Sequence, residues 1–173
     1  ENLALNMASK FIADADKVQE IADLIKEADE YAKTLAHGLV QMDFEQETLD
    51  TILYQLCSRV ERLFNIKCSF MFDADIVINK PLIATQLYRI TQEAISNAVK
   101  HGKADNINIS LLSDNGVTKL SIEDNGAGFS GSEATTKKKG MGIQIMKYRA
   151  NLLSGDLDIY ETEDKKTKVV CSI

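Results

Sequence analysis

The sequence has no surplus of basic charge. Across 173 residues, 20 lysines and arginines face 26 aspartates and glutamates, leaving a net charge of −6. A nucleic-acid binder needs a basic face to neutralise phosphates, so nucleic acid is not an expected partner. Cysteine is also scarce. Cys57, Cys68 and Cys171 are widely spaced, odd in number and without a CxxC pair, so neither a disulfide framework nor a zinc site is indicated. Reduced, cytoplasmic thiols are the expectation. No apolar run approaches the roughly 18–20 residues that a membrane span needs, and no signal-peptide pattern is visible. Repeats and low-complexity tracts are missing too. The chain opens at Glu1 rather than at a methionine, which leaves open a sensor or membrane segment upstream.

With 45% hydrophobic and 27% charged residues, the chain has enough apolar material for one ordinary core and a smaller helical appendage. Val18, Ile21, Ile25, Ala28, Ala32, Leu35 and Leu39 follow one another at steps of three and four, the seam of a helix packed in a bundle. Leu5, Ala8 and Ile12 give a shorter helix before it. Together they predict a helical hairpin over residues 1–42, too small to bury its own seam and therefore suited to pairing with a second copy. An intramolecular amphipathic helix is the alternative. Residues 43–173 form the second expected unit, joined to the first through the polar stretch from Gln41 to Glu47.

In that second unit the periodicity alternates between the two types. Leu49, Ile52, Leu53, Leu56, Val60 and Leu63 predict a helix, and Cys68, Phe70 and Phe72 a strand. The single proline, Pro81, stands where a helix begins, ahead of the stripe Ile83, Leu87, Ile90, Ala94 and Ala98. A hairpin follows, with its turn at Asp114-Asn115-Gly116. The next helix carries Ile143, Met146, Ala150 and Leu153 and is expected to stop at Gly155. Two strands, 157–162 and 167–173, end the chain. Short connections between consecutive strands argue against a doubly wound parallel sheet. The expectation is an α+β fold with a mixed sheet covered on one face by helices.

Three stretches carry chemistry. In SIEDNGAGF, Ser121 to Phe129, strand alternation puts Leu120, Ile122 and Asp124 on one face, which turns a carboxylate toward the apolar side. A buried unpaired carboxylate costs several kcal/mol, so Asp124 needs a cation, a cluster of donors or a donor on a ligand. Gly126 and Gly128 leave room for a flat ligand, and an amino-purine suits that combination. An ordinary turn with a surface aspartate is the alternative for this stretch alone. On the helix from Leu82, Glu93 and Asn97 are neighbours at i, i+4, a pair able to hold a hydrated magnesium ion. Lys100 and His101 follow within a turn and point toward phosphates; in isolation these are ordinary helix charges. The third stretch, KKKGMGIQ, opens a helix with glycines after three lysines, where free backbone N–H groups favour an anion.

Taken together, LYRITQEAISNAVKH, IEDNGAGF and KGMGIQIMKYRANLLSGDLDI resemble the catalytic ATP-binding domain of sensor histidine kinases, within the superfamily that also holds gyrase, Hsp90 and MutL. The resemblance runs from about Phe44 to Ile173 and is nearest to the subgroup typified by nitrate and desaturase sensor kinases. It implies a two-layer α/β sandwich of the Bergerat type, with ATP and magnesium held between helices and sheet under a lid. Carried over residue by residue, Asn97 is the magnesium-binding asparagine, with Glu93 one turn earlier as a catalytic and metal-binding acid. Asp124 reads the adenine amine, and Gly126 and Gly128 line the base pocket. Lys139, Gly140, Met141 and Gly142 form the second glycine box, where the lid joins the phosphate-facing helix. Thr167 supports adenine from a neighbouring strand, and its parity with Val169 and Cys171 turns it inward independently of the resemblance.

The sequence departs from the family in three places. The lid, Ser130 to Lys139, is short, and the glycine usually placed before Thr167 is absent from DKKTKV. The phosphoacceptor histidine motif is also missing. His37, in AKTLAHGLVQ, resembles a position at the end of the second hairpin helix that family members do not phosphorylate, so the acceptor is expected a turn or two upstream of Glu1. The resemblance then implies the C-terminal core of a two-component kinase that binds magnesium-ATP, dimerises through the hairpin and serves a cognate response regulator. As a cytoplasmic portion it leaves membrane anchoring of the full-length protein open. The rival readings are an ATP-dependent serine kinase of the anti-sigma type and a non-catalytic ATP-binding module.

Overall fold

The computed structural model describes residues 47–128 and 141–173. The expected hairpin over 1–42, the joint with the second unit up to residue 46, His37 and the expected lid all lie outside the described residues. The described chain runs α1 (Leu49–Phe64), β1 (Lys67–Phe72), α2 (Pro81–Lys100), β2 (Asn106–Asp114), β3 (Val117–Asp124), α3 (Met141–Leu152), β4 (Asp156–Glu161) and β5 (Thr167–Ser172).

The five strands form one sheet in the order β1-β2-β3-β5-β4. β1 and β2 are parallel, with α2 as the crossover that parallel pairing requires, and every other pair is antiparallel. The β2–β3 turn has positive φ at both Asn115 (52°) and Gly116 (82°), the pairing of signs that a two-residue type I′ hairpin demands. This fixes the register that sets Ile107 opposite Asp124 and Ile109 opposite Ile122.

One face of the sheet carries the core. Ile107, Ile109, Leu111, Leu120, Ile122, Val169 and Cys171 are buried, and so are Ile52, Leu53, Leu87, Ile90, Met146 and Ala150 from the helices. The intervening strand residues, such as Asn108, Lys119 and Lys168, are not buried. This is the expected mixed α+β architecture, an open sheet with its helices on one side. Within α2, the Thr91 hydroxyl is fully buried and donates to the Leu87 carbonyl at 2.9 Å, so a polar group sits in the core without being unsatisfied.

Leu63 lies within the expected α1 yet is 56% exposed, because α1 ends at Phe64, where Asn65 takes a left-handed φ of 54°. One local expectation is corrected. At the end of α3 the left-handed residue is Ser154 (φ 57°) rather than Gly155. Gly155 is needed for a different reason, because a Cβ there would run into the Ser172 carbonyl on β5.

Leu120 is fully buried at the centre of the sheet, opposite Leu111 and Cys171. Leu120→Ala is expected to lower unfolding stability by about 2–5 kcal/mol, read from the midpoint of a urea titration with the slope unchanged.

Candidate functional site

Adjacent acids end β3 and point in opposite directions. Glu123 faces the open side of the sheet, where Lys166 Nζ lies 3.0 Å and Lys168 Nζ 3.7 Å from its carboxylate oxygens. Asp124 faces the helices and is 6% exposed. It stands in a row across the sheet, Cys68–Ile107–Asp124–Thr167–Glu161, so Thr167 is directly opposite it. The Gly126 N–H donates to Asp124 Oδ1 at 2.9 Å. Burial pushes the Asp124 carboxyl above its usual value; the Gly126 bond opposes that shift, and the Glu123 charge adds to it. Among the described residues no buried side-chain oxygen or nitrogen lacks a partner. An ionised carboxylate accepts more than one hydrogen bond, so Asp124 has acceptor capacity beyond the Gly126 N–H.

The turn after Asp124 is held from below by the segment after α2. The Asn97 carbonyl accepts from His101 N at 2.9 Å and from Gly102 N at 3.1 Å, and the Gly102 carbonyl accepts from Ala127 N at 2.8 Å. Asn125 closes the clasp. Its Oδ1 accepts from the Asp105 and Asn106 backbones at 3.2 and 3.0 Å, and its Nδ2 donates to Asp105 Oδ1 at 2.7 Å. A Cβ on Gly126 would lie 2.6 Å from the Gly102 carbonyl oxygen, and one on Gly102 would lie 2.8 Å from that of Ala98. Only glycine fits where the two backbones meet. Gly128 has a φ of +78°, and a Cβ there would lie 3.1 Å from Glu161 Oε2.

α3 begins against α2. The Gly142 backbone abuts the Glu93 carboxylate, which a Cβ at 142 would overlap. Near the other end of α3, Arg149 Nη1 donates to Gln86 Oε1 at 2.8 Å. Burial lowers the Arg149 guanidinium from its usual value, as does Arg89 nearby, while Glu93 pulls the other way. Glu93 and Asn97 are half-buried one turn apart on α2, whereas Lys100 and His101 close the helix in exposed positions. Met141 is the first residue of α3. Lys139 and Gly140 lie outside the described residues. The structure thus brings Asn97, Asp124, Gly126 and Thr167 to one end of the sheet, and sets Glu93 against Gly142.

Residues 83–173 match the family described as histidine kinase-, DNA gyrase B-, and HSP90-like ATPase. The chain belongs to that family. Among curated relatives of this ATPase domain, it is 30% identical over 132 residues to the sensor histidine kinase MctS of Rhizobium johnstonii, a match covering 76% of this chain and 29% of MctS. It is 34% identical over 87 residues to the nitrate/nitrite sensor protein NarX of Escherichia coli, covering 50% of this chain and 14% of NarX. Among solved structures, the ATP-binding domain of PrrB from Mycobacterium tuberculosis superposes with a TM-score of 0.56 at 21% identity, over 72% of this chain and 91% of that domain. The chain spans less than a third of the length of the curated relatives it matches.

Sequence reasoning missed Gly102, Asn125 and Arg149 in this ATPase domain. A glycine one residue beyond a helix reads as a C-cap, and only the structure shows it touching a second loop. The side-chain amide of Asn125, inside DNG, was overlooked because the tripeptide reads as a turn.

Ionised Asp124 bears a burial cost in the folded state that the unfolded chain escapes. Its folded pKa is raised, so stability is lost as pH rises from the usual carboxylate value through the folded value. Asp124→Asn keeps an acceptor for Gly126 N–H and removes the charge. Without nucleotide, the variant is expected to melt a few degrees higher than the parent at neutral pH, and the gain should vanish in acid. A scan of melting temperature against pH checks this.

Proposed function

We propose that this chain is the ATP-binding catalytic part of a two-component sensor histidine kinase. It binds magnesium-ATP and passes the γ-phosphoryl group to a histidine. One observation carries the reading: the buried Asp124 carboxylate, with acceptor capacity beyond its Gly126 bond, stands beside the Gly126–Gly128 turn and opposite Thr167. Adenine offers an exocyclic amine as donor to such an acceptor, and the glycine backbone allows the flat ring close access. In this reading Gly142 and the residues before it receive the phosphates at the start of α3, where backbone N–H groups are free of helical partners.

Glu93 and Asn97, half-buried one turn apart on α2, offer one carboxylate and one amide oxygen, and magnesium takes few protein ligands and relies on water and phosphate oxygens. Asn97 and Glu93 are the residues that would hold it. Once bound, it would neutralise charge on the phosphates. The residues of this chain position the nucleotide: Asp124 and Thr167 fix the base, and the α2–α3 seam fixes the phosphate end. Phosphoryl transfer depends mainly on such positioning and charge neutralisation.

The acceptor histidine belongs, in this reading, to a helical hairpin whose first helix starts upstream of Glu1. Two copies pair through that hairpin, and the phosphoryl group continues to a cognate response regulator. The domain works in the cytoplasm. No helix among the described residues is long and apolar enough to cross a membrane.

Magnesium-ATP at about 100 times its Kd is expected to stabilise the fold by about 2.7 kcal/mol, visible as a higher melting temperature. Asp124→Asn should weaken binding by roughly tenfold or more, about 1.4 kcal/mol, and incubation with ATP should leave no phosphohistidine on the 173-residue chain. Equal nucleotide stabilisation of the parent and of Asp124→Asn would refute the site.

A further inference from the structure

The nucleotide site does not use Cys57 or Cys68. Both are free thiols, separated by ten residues that carry the end of α1 and the turn into β1. Cys57 is 4% exposed and Cys68 6% exposed. Their placement follows from the packing of α1 on β1. Glu61, one helical turn beyond Cys57 and on the same side of α1, accepts a hydrogen bond from the Cys68 backbone N–H at 3.1 Å. Cys68 alternates inward along β1, toward the helices, so the Cys57 side of α1 meets it and the two thiols lie within interacting range of each other. β1 is an edge strand paired only with β2, so this corner can open without breaking the centre of the sheet.

We propose that Cys57 and Cys68 form a dithiol site that a low-molecular-weight disulfide oxidises reversibly to an intramolecular disulfide. The Cys57 thiolate attacks one sulfur of the small disulfide, forming a mixed disulfide and releasing one small thiolate. Cys68 then loses its proton and attacks the Cys57 sulfur, releasing the second small thiolate. The protein loses two electrons and two protons, and the small disulfide gains them as two thiols. The order of attack follows from the pairing. The Cys68 thiol beside it holds the Cys57 thiol below its usual value, while the same pairing and burial push Cys68 up. Cys171 is the built-in comparison. It lies on β5 opposite Leu120 and Leu157, and burial, with Asp156 adding to it, raises its thiol to about 11.

The test is to incubate the folded chain with excess glutathione disulfide and read intact mass and peptide maps. The expected product is lighter by two hydrogens, links Cys57 to Cys68, leaves Cys171 as a thiol and reverts on addition of dithiothreitol. Cys171→Ala should react identically, while Cys57→Ala should lose the two-hydrogen change. Three results would overturn the proposal: stable glutathione adducts on Cys57 or Cys68 without a cross-link, a cross-link that includes Cys171, or no oxidation of the folded chain under conditions that oxidise the urea-unfolded one.

Discussion

The carboxylate of Asp124 sets the terms for this end of the molecule. A charged group at the end of an apolar strand raises the free energy of the fold unless something donates to it. Within the described residues the partner is the Gly126 N–H, which the same turn supplies only because Gly126 carries no side chain where it crosses Gly102. The clasp by Asn125, the Gly102 contact and the position of Thr167 across the strand pair all hold that turn and its acid in place. Natural structures tolerate such local cost where a ligand repays it.

Neighbouring residues with the same charge have separate duties because of the pleat. Glu123 meets Lys166 and Lys168 on the open face, while Asp124 is kept from water on the other. The helices are arranged around the same end of the sheet. α2 brings Asn97 to the segment that supports the turn, and Glu93 on that helix touches the start of α3 through Gly142. Arg149 and Gln86 tie the two helices again farther along. The two helices therefore touch near both ends of α3.

Much of this was legible in the sequence because two periodicities are strong. Alternation through Leu120, Ile122 and Asp124 gave the orientation of the acid, and the steps from Ile83 to Ala98 gave the helix bearing Asn97. Asn115-Gly116 named the hairpin turn, and Thr167 was placed by parity with Val169 and Cys171. Contacts between segments distant in sequence were not legible. Gly102 against Gly126, Arg149 with Gln86, and Cys57 beside Cys68 each depend on how elements pack, and local spacing carries no trace of that. Leu63 marks another limit: a hydrophobic stripe says which face a helix buries but not how far along the cover extends.

In the proposed site Asp124 accepts from the exocyclic amine of adenine. The most direct measurement compares the affinity of the chain for ATP and inosine triphosphate, by calorimetry in magnesium-containing buffer. The two nucleotides share sugar and phosphates, but hypoxanthine presents a carbonyl oxygen where adenine presents its amine. The account predicts that ATP binds at least about tenfold more tightly, a difference of about 1.4 kcal/mol or more. Equal affinities would contradict it.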